Sequence, residues 1–225
     1  MNRYSKIVYF SILALIAIVQ LIQGNQLLAM LLFVLTCFAL PLYEKREVKR
    51  QFYRALKKLY VCVDLDAFIK EREKLVKHAL FKRAILTPLS VLMSIEAYYR
   101  GQRDTVSFDL SRIPYNKTYQ FWIDSYIGLS DASQLVSLEI GRQLNSVPRY
   151  YREIAVQRIE VLLLMQKLSA GKLVDTIEIE ALRERLTANL LIAELTKCLS
   201  DHSEVERIQK YYKQAAINLS KGLKI

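Results

Sequence analysis

Two apolar runs separated by a short polar turn open the chain: IVYFSILALIAIVQLI at residues 7–22 and LLAMLLFVLTCFALPLY at residues 27–43. The turn at residues 23–26 contains Gly and Asn, which tolerate the positive φ angles of tight turns. A helix that crosses the hydrocarbon core of a bilayer needs about 17 to 25 residues. The first run, counted from Tyr4 to Gln23, and the second run, residues 27–43, both have a length within this range. The sequence therefore predicts a transmembrane helical hairpin over residues 1–43.

A cleaved signal peptide and a buried hairpin in a soluble fold are the alternatives to a retained anchor. Arg3 and Lys6 fit the basic start of a signal peptide, but no small-residue cleavage motif follows the first run. A second apolar run comes at once instead. Helices that are apolar on every face suit lipid or the centre of a much larger domain. The pattern therefore favours a retained anchor.

Basic residues on both sides of the hairpin predict its orientation. Arg3 and Lys6 flank the first run, and the turn carries no charge. Just after the second run, Glu44 and Glu47 are outnumbered by seven basic residues: Lys45, Arg46, Lys49, Arg50, Arg54, Lys57 and Lys58. By the positive-inside rule both termini are cytoplasmic, and everything after Tyr43 is cytosolic. A two-helix hairpin without a eukaryotic-style targeting segment favours a bacterial cell membrane.

The positive charge of the chain is concentrated next to the hairpin. The formal net charge is +11, and residues 44–86 contribute +7 of it through thirteen basic and six acidic residues. Anionic headgroups attract such a segment by about 1 kcal/mol per basic residue near the membrane surface. We therefore predict that the seven basic residues after the second run contact a bilayer with anionic headgroups. Nucleic acid is not an expected partner, because the excess charge is not on the remaining domain.

Residues 44–63 have the pattern of a basic amphipathic helix. One face is an apolar stripe at spacings of three and four residues: Val48, Phe52, Leu56, Leu59, Tyr60 and Val63. The basic residues lie mostly off this stripe. Such a helix lies in the membrane interface, or it packs its stripe on the domain that follows. The sequence leaves both alternatives open.

The rest of the chain, residues 64–225, is predicted to be helical, with helices paired around short polar turns. The predicted turns are Arg100–Gln102, Gly128–Asp131, Ala170–Lys172 and Ser200–His202. Pro88 is expected near the start of a helix, and Pro114 and Pro148 at breaks. Stacked pairs need about three or more units to bury a continuous core, and four candidate pairs meet that requirement.

Two segments carry a more specific pattern: AYYRGQRDTVSFDLSRIPYN at residues 97–116 and FWIDSYIGLSDASQLVSLEIGRQL at residues 121–144. Each has tyrosine and then glycine where two helices would meet, and the first ends in an exit proline. Each resembles a tetratricopeptide unit, although the first has Val106 or Ser107 where the family has a small residue after the turn. The resemblance implies an all-α chain in which two transmembrane helices precede a right-handed, tetratricopeptide-like α-solenoid.

A solenoid of this kind commonly binds peptides on the concave side that the first helix of each pair lines. The candidate partner-binding residues there are Tyr98, Tyr99, Arg100, Tyr119, Trp122, Tyr126, Tyr150, Tyr151, Arg152 and Arg158. Aromatic residues and arginine dominate the energetics of interfaces. The alternative is that most of these aromatics pack in the core. Neighbouring residues differ by about 100° around a helix, so one tyrosine of each adjacent pair should point outward. Arg152 and Arg158 are the strongest surface candidates.

The sequence offers little for catalysis. His78 and His202 are far apart and expected to be solvated, and Cys37, Cys62 and Cys198 lack the CxxC spacing of zinc sites. In a cytosolic domain these thiols should stay reduced. None of the glycine-rich phosphate-binding motifs occurs. We therefore expect no enzyme activity, no metal and no cofactor.

The predicted function is that of a membrane-anchored scaffold that binds a protein partner near the membrane. One alternative is an accessory subunit of a membrane enzyme or transporter, with the hairpin as its interface. Small residues of the hairpin would form that contact: Ser11, Ala14, Ala17, Ala29, Cys37 and Ala39. A membrane-bound enzyme of unfamiliar type is the third hypothesis, and it requires a deep pocket with perturbed carboxylates.

Overall fold

The fold is helical throughout the residues that the computed structural model describes, namely 3–130, 143–169, 174–202, 206–221 and 223. Within them there is no strand, and the regular structure consists of helices. Two short 3₁₀ turns are formed by Leu144–Ser146 and Arg149–Tyr151. The α-helices are α1 (Arg3–Ile22), α2 (Gln26–Tyr60), α3 (Leu65–His78), α4 (Lys82–Tyr99), α5 (Arg103–Ser111), α6 (Gln120–Ser130), α7 (Arg152–Ser169), α8 (Thr176–Arg185), α9 (Asn189–His202) and α10 (Glu206–Ser220).

The helix α1 and the first part of α2 form the predicted apolar hairpin. Gly24 has a φ of +82° at the turn between them, a conformation that glycine adopts without steric cost. Ala17 and Ala29 are buried, whereas most of the large apolar side chains of both helices are exposed. Both helices are long and apolar enough to cross a membrane. Two small side chains are therefore buried inside the hairpin, and most of the large ones face outward.

The helix α2 does not end where the apolar run ends. It is one helix of 35 residues, so the helix predicted over residues 44–63 is mainly the continuation of α2 and not a separate helix. Pro41 lies inside it and lacks the N–H that would bond to the carbonyl of Cys37. The residues that follow are Glu, Lys and Arg, which are strong helix formers, and neither Gly nor Pro interrupts them. Nothing local therefore ends the helix before Tyr60.

The amphipathic stripe of α2 packs on the domain. All six of its residues are buried: Val48, Phe52, Leu56, Leu59, Tyr60 and Val63. The helix contacts α3, α4 and α9. Of the two alternatives left by the sequence, the structure shows the stripe in the protein core and not in the membrane interface.

The predicted turns are only partly confirmed. Gly101 has a φ of +86° between α4 and α5, which confirms the first turn. Gly128 lies inside α6, and Ser200–His202 are the last residues of α9, so these two predictions are wrong. Ala170–Lys172 lies outside the described residues. Pro88 is the seventh residue of α4, well inside the helix, whereas Pro114 and Pro148 do lie between helices.

The contacts between helices differ from those of a solenoid. In a solenoid each repeat contacts only its neighbours. Here the amide Nδ2 of Asn189, at the start of α9, donates to the carbonyl of Val61 at 2.7 Å. The ammonium of Lys221 donates to the carbonyl of Cys62 at 2.8 Å. The C-terminal helices therefore return to α2, which is a central helix surrounded by others. A tetratricopeptide-like solenoid is not confirmed.

Candidate protein-binding groove along α2

Most of the residues predicted to line a concave groove are in the core. Six of them are buried: Tyr98, Tyr99, Tyr119, Trp122, Tyr126 and Arg158. Buried side chains cannot contact a partner, so the predicted aromatic groove is not formed by these residues. The expectation that one tyrosine of each adjacent pair faces outward also fails at Tyr98 and Tyr99. Their helix, α4, contacts α2, α3, α5 and α6, so it is covered on more than one side.

Five buried side chains, three of them from the predicted set, form a hydrogen-bonded network: Tyr60, Tyr99, Tyr126, Arg158 and Glu194. Arg158 Nη1 donates to Glu194 Oε2, and Tyr99 Oη donates to Glu194 Oε1 at 2.7 Å. Tyr126 Oη donates to Tyr99 Oη at 3.2 Å, and the hydroxyls of Tyr60 and Tyr126 lie 2.9 Å apart. The guanidinium of Arg158 also lies 4.9 Å from the centre of the Tyr126 ring. The network therefore joins α2, α4, α6, α7 and α9.

Burial and charge together decide the protonation of this network. Burial raises the pKa of Tyr99 and Tyr126 well above the usual value for a phenol, and the Glu194 carboxylate raises both further. Burial by itself would lower the pKa of Arg158, but the Glu194 carboxylate raises it above its usual value. Arg158 thus stays charged, and the phenols stay neutral donors. Arg158, predicted as a surface residue, lies in the core instead.

The predicted residues that remain exposed lie mainly in one place. Arg100 is exposed and pairs within its own helix, with Arg100 Nη2 at 2.8 Å from Glu96 Oε1. Tyr150 is 95% exposed, Tyr151 is half-buried, and Arg152 is exposed. These three follow one another at the start of α7. Together with Arg100, they are the part of the predicted set that a partner can reach.

A groove of about 710 Å³ lies between α2 and this segment. We call it the α2 groove; Tyr150 and Tyr151 line it, and Thr187 and Ala188 close one side. The rings of Tyr53 and Tyr151 lie 4.7 Å apart. Five basic residues and one acidic residue line the groove: Arg46, Lys49, Arg50, Arg54, Lys57 and Glu153.

Little in the described structure neutralises the positive charge of the α2 groove. Glu153 accepts a hydrogen bond from Thr187 Oγ1 at 3.1 Å. Arg50 is 3.9 Å from Glu47, a partly exposed contact of little energetic weight. The other four basic side chains of the groove form no ion pair with any residue that the structure describes. The groove therefore presents unpaired cations beside aromatic rings.

The basic residues of α2 lie at very different distances from the end of the apolar run. At 1.5 Å per residue, Lys45 is about 3 Å, Lys49 about 9 Å and Lys57 about 21 Å beyond Tyr43 along the helix axis. Salt screens exposed charges over about 8 Å. Contact with headgroups remains a prediction for Lys45, Arg46 and Lys49. The later residues, Arg50, Arg54, Lys57 and Lys58, are carried away from the membrane if α2 runs along the bilayer normal.

A buried ion pair that the sequence pattern does not predict joins the hairpin to the domain. Lys6 Nζ lies 2.7 Å from Glu44 Oε2 and donates to the carbonyl of His78 at 3.0 Å. The backbone N–H of Leu80 donates to Glu44 Oε1 at 2.6 Å. Lys6 and Glu44 are both buried, so this contact fixes α1 and α2 against the α3–α4 loop. A usable signal was the single lysine inside an otherwise apolar helix.

The small residues proposed as a hairpin interface are divided between two environments. Ala17 and Ala29 are buried. Ala14 and Ala39 are half-buried, whereas Ser11 and Cys37 are exposed. Of the small residues that would permit close approach of another helix, Ala17 and Ala29 are therefore already covered within this chain.

The candidate catalytic and metal residues form no site in the described part of the chain. His78 is half-buried, and no group of three or more His, Cys, Asp or Glu side chains is arranged to hold a metal among the residues searched. Cys37 and Cys62 are free thiols, and the side chains of Cys198 and His202 lie outside the description. Comparisons with protein-family models, with curated proteins and with solved structures find no match to this chain.

Proposed function

We propose that this protein is a membrane-anchored, non-enzymatic adaptor whose α2 groove binds an acidic segment of a protein partner. One observation supports the proposal above all: five basic side chains and only one acidic side chain line a groove that contains exposed and half-buried tyrosines. Arginine pairs with carboxylates through two parallel hydrogen bonds. Tyrosine and arginine are enriched among the residues that dominate binding energy.

The geometry of α2 explains why an anchor and a groove would occur in one chain. In this proposal the hairpin spans the bilayer with both termini in the cytoplasm, and the groove begins a few ångströms beyond the membrane. A partner in the same membrane then meets the groove at a raised effective concentration, so modest affinity suffices. The proposal does not require a tetratricopeptide solenoid, because α2 and the start of α7 form the groove.

A binding experiment with a defined probe tests the groove. The probe is a fluorescein-labelled, glutamate-rich peptide with one central phenylalanine, titrated with the full chain in detergent and followed by anisotropy. The variant Arg50→Gln/Arg54→Gln/Lys57→Gln removes three groove charges and should weaken binding by roughly 10- to 100-fold. The control Lys70→Gln/Lys77→Gln/Lys82→Gln removes three exposed charges elsewhere and should bind like the parent. Equal weakening in both would contradict the proposal.

An experiment in membranes separates the adaptor from the accessory-subunit alternative. A photo-crosslinking amino acid at Tyr150 should capture a partner, whereas one at the exposed Met93 should not. Replacing residues 7–40 with an unrelated hairpin keeps Lys6 and Glu44. An adaptor retains its crosslinked partner after this exchange. Loss of the partner would move the interface into the membrane.

A further inference from the structure

A second cavity lies where α2 leaves the apolar hairpin. It has a volume of about 790 Å³ and is formed by α2 around Glu44, the start of α4 and the loop 115–119. We call it the α2–α4 pocket. Pro41, which lies in the apolar run itself, is among its lining residues. The pocket therefore reaches the level at which a spanning helix would meet lipid headgroups.

The charge of the α2–α4 pocket is positive. Lys45, Lys49, Arg83 and Lys117 line it, and Glu44 is the one acidic lining residue. The Glu44 carboxylate is already engaged by Lys6 and by the backbone N–H of Leu80. Among the residues that the structure describes, none forms an ion pair with these four basic side chains. An anion entering the pocket would meet four basic groups without carboxylate competitors.

The walls of the α2–α4 pocket are partly apolar. Val48 and Pro88 are buried, whereas Phe81 is 43% exposed and Tyr115 is 75% exposed. Aromatic side chains at this level are typical of the membrane–water interface, where an apolar ring lies beside polar headgroups. Cationic groups and apolar walls together match a molecule that has a negative head and a hydrocarbon part.

We propose that the α2–α4 pocket binds one anionic phospholipid of the leaflet from which α2 emerges. The basic side chains contact the phosphate, and the apolar walls contact the glycerol backbone and the first methylene groups. Basic pockets beside transmembrane helices recognise lipid headgroups in this way. Free phosphate would leave the apolar walls unpartnered. The inference rests on the membrane anchor of the proposed function, and it adds a specific lipid site beside the α2 groove, with which it shares Lys49.

Native mass spectrometry of the full chain in detergent micelles tests the lipid site. The probes are dioctanoyl phosphatidylglycerol, dioctanoyl phosphatidylcholine and inorganic phosphate, each titrated separately. We expect one molecule of phosphatidylglycerol to bind, with much weaker binding of the other two. The variant Lys45→Gln/Arg83→Gln/Lys117→Gln should weaken phosphatidylglycerol binding on the order of 100-fold. The control Arg50→Gln/Arg54→Gln/Lys57→Gln carries the same charge change in the α2 groove and should bind lipid like the parent.

Three results would overturn the lipid proposal: equal weakening in the two triple variants, equal binding of phosphatidylcholine, or phosphate binding as tight as that of the lipid. A thermal melt verifies folding, and the single exposed-residue variant Lys117→Gln serves if the triple variant does not fold. Glutamate-rich peptide binding, measured on the same preparations, reports the α2 groove separately. Absence of phosphatidylglycerol binding to the parent chain, with intact peptide binding, contradicts the pocket alone, whereas release of the parent chain from membranes by alkaline carbonate contradicts the anchor.

Discussion

The two halves of α2 share a helical backbone conformation, but they differ in the side chains that they carry and in which of those side chains are exposed. The apolar half, residues 27–43, carries no charge and exposes large side chains such as Phe33 and Phe38. The domain half, residues 44–60, buries one stripe and exposes a basic face. A helix satisfies its backbone hydrogen bonds internally in lipid and in water alike. Side-chain pattern therefore decides the environment of each half, while the backbone continues across the boundary.

The sharpest test of this difference is the same substitution in each half. Phe52 is fully buried, and its ring lies 4.7 Å from that of Tyr119, so Phe52→Ala should destabilise the domain by about 3–5 kcal/mol. Phe33 is 62% exposed, and Phe33→Ala should leave domain stability unchanged. Trp122, the one tryptophan of the chain, is buried in this core. Urea unfolding followed by the fluorescence of Trp122 measures the free energy of unfolding of both variants. Similar losses for both would show that the two halves of α2 do not differ in environment.

The junction of the two halves is sensitive to charge. Glu44→Gln leaves the buried Lys6 ammonium without a counter-charge, which should weaken this contact by about 3 kcal/mol. The N–H of Leu80 should then exchange with solvent roughly 100-fold faster. The double variant Lys6→Met/Glu44→Gln removes the unpaired charge and should recover most of the protection. Glu47→Gln, on the same helix, is the matched control. Unchanged exchange in Glu44→Gln would show that the ion pair does not hold the hairpin to the domain.

High pH should destabilise the domain half through the tyrosine network. The pKa of Tyr99 and Tyr126 is raised in the folded state, whereas an unfolded phenol titrates near 10. Above pH 10 the unfolded state binds fewer protons, so stability present below that pH is lost at about 1.4 kcal/mol per pH unit for each tyrosine. Urea unfolding from pH 8 to pH 11.5 measures the slope. Tyr99→Phe should reduce it, whereas Tyr150→Phe, at an exposed position, should not.

The smallest expected effect concerns the basic face of the domain half. Arg54 and Lys57 are exposed and unpaired among the described residues, so Arg54→Gln/Lys57→Gln should change stability by less than about 0.5 kcal/mol. Peptide binding to the α2 groove should nevertheless weaken. Unfolding and anisotropy measured on one preparation separate the two outcomes. A stability loss as large as that of Phe52→Ala would show that this face is part of the core.

The local pattern of the sequence predicts environment better than it predicts contacts. The hairpin, the helical class and the stripe from Val48 to Val63 follow from composition and periodicity alone. The continuity of α2 was missed because a change from apolar to basic residues was interpreted as a change of helix. Helix formation depends on the intrinsic helix propensity of the residues, which stays favourable on both sides of Tyr43.

The candidate site was harder to predict, because burial depends on contacts distant in sequence. Arg158 and Glu194 are 36 residues apart, and Lys6 and Glu44 are 38 residues apart. Each of these charges has an apolar neighbour in sequence, which is a weak signal of burial that does not identify the partner. The groove residues Tyr150 and Tyr151 were predicted, but their position beside the basic face of α2 depends on how α7 packs.

A distance along α2 tests directly whether it is a single helix from the apolar half into the domain half. Spin labels at Met30→Cys and Lys57→Cys, both exposed sites, are introduced after Cys37, Cys62 and Cys198 are replaced by serine. Double electron–electron resonance in lipid nanodiscs should give one distance of about 40 Å, as a continuous helix requires. A right-angle bend at Tyr43, with the basic segment lying on the membrane, would give about 29 Å instead and would contradict the account.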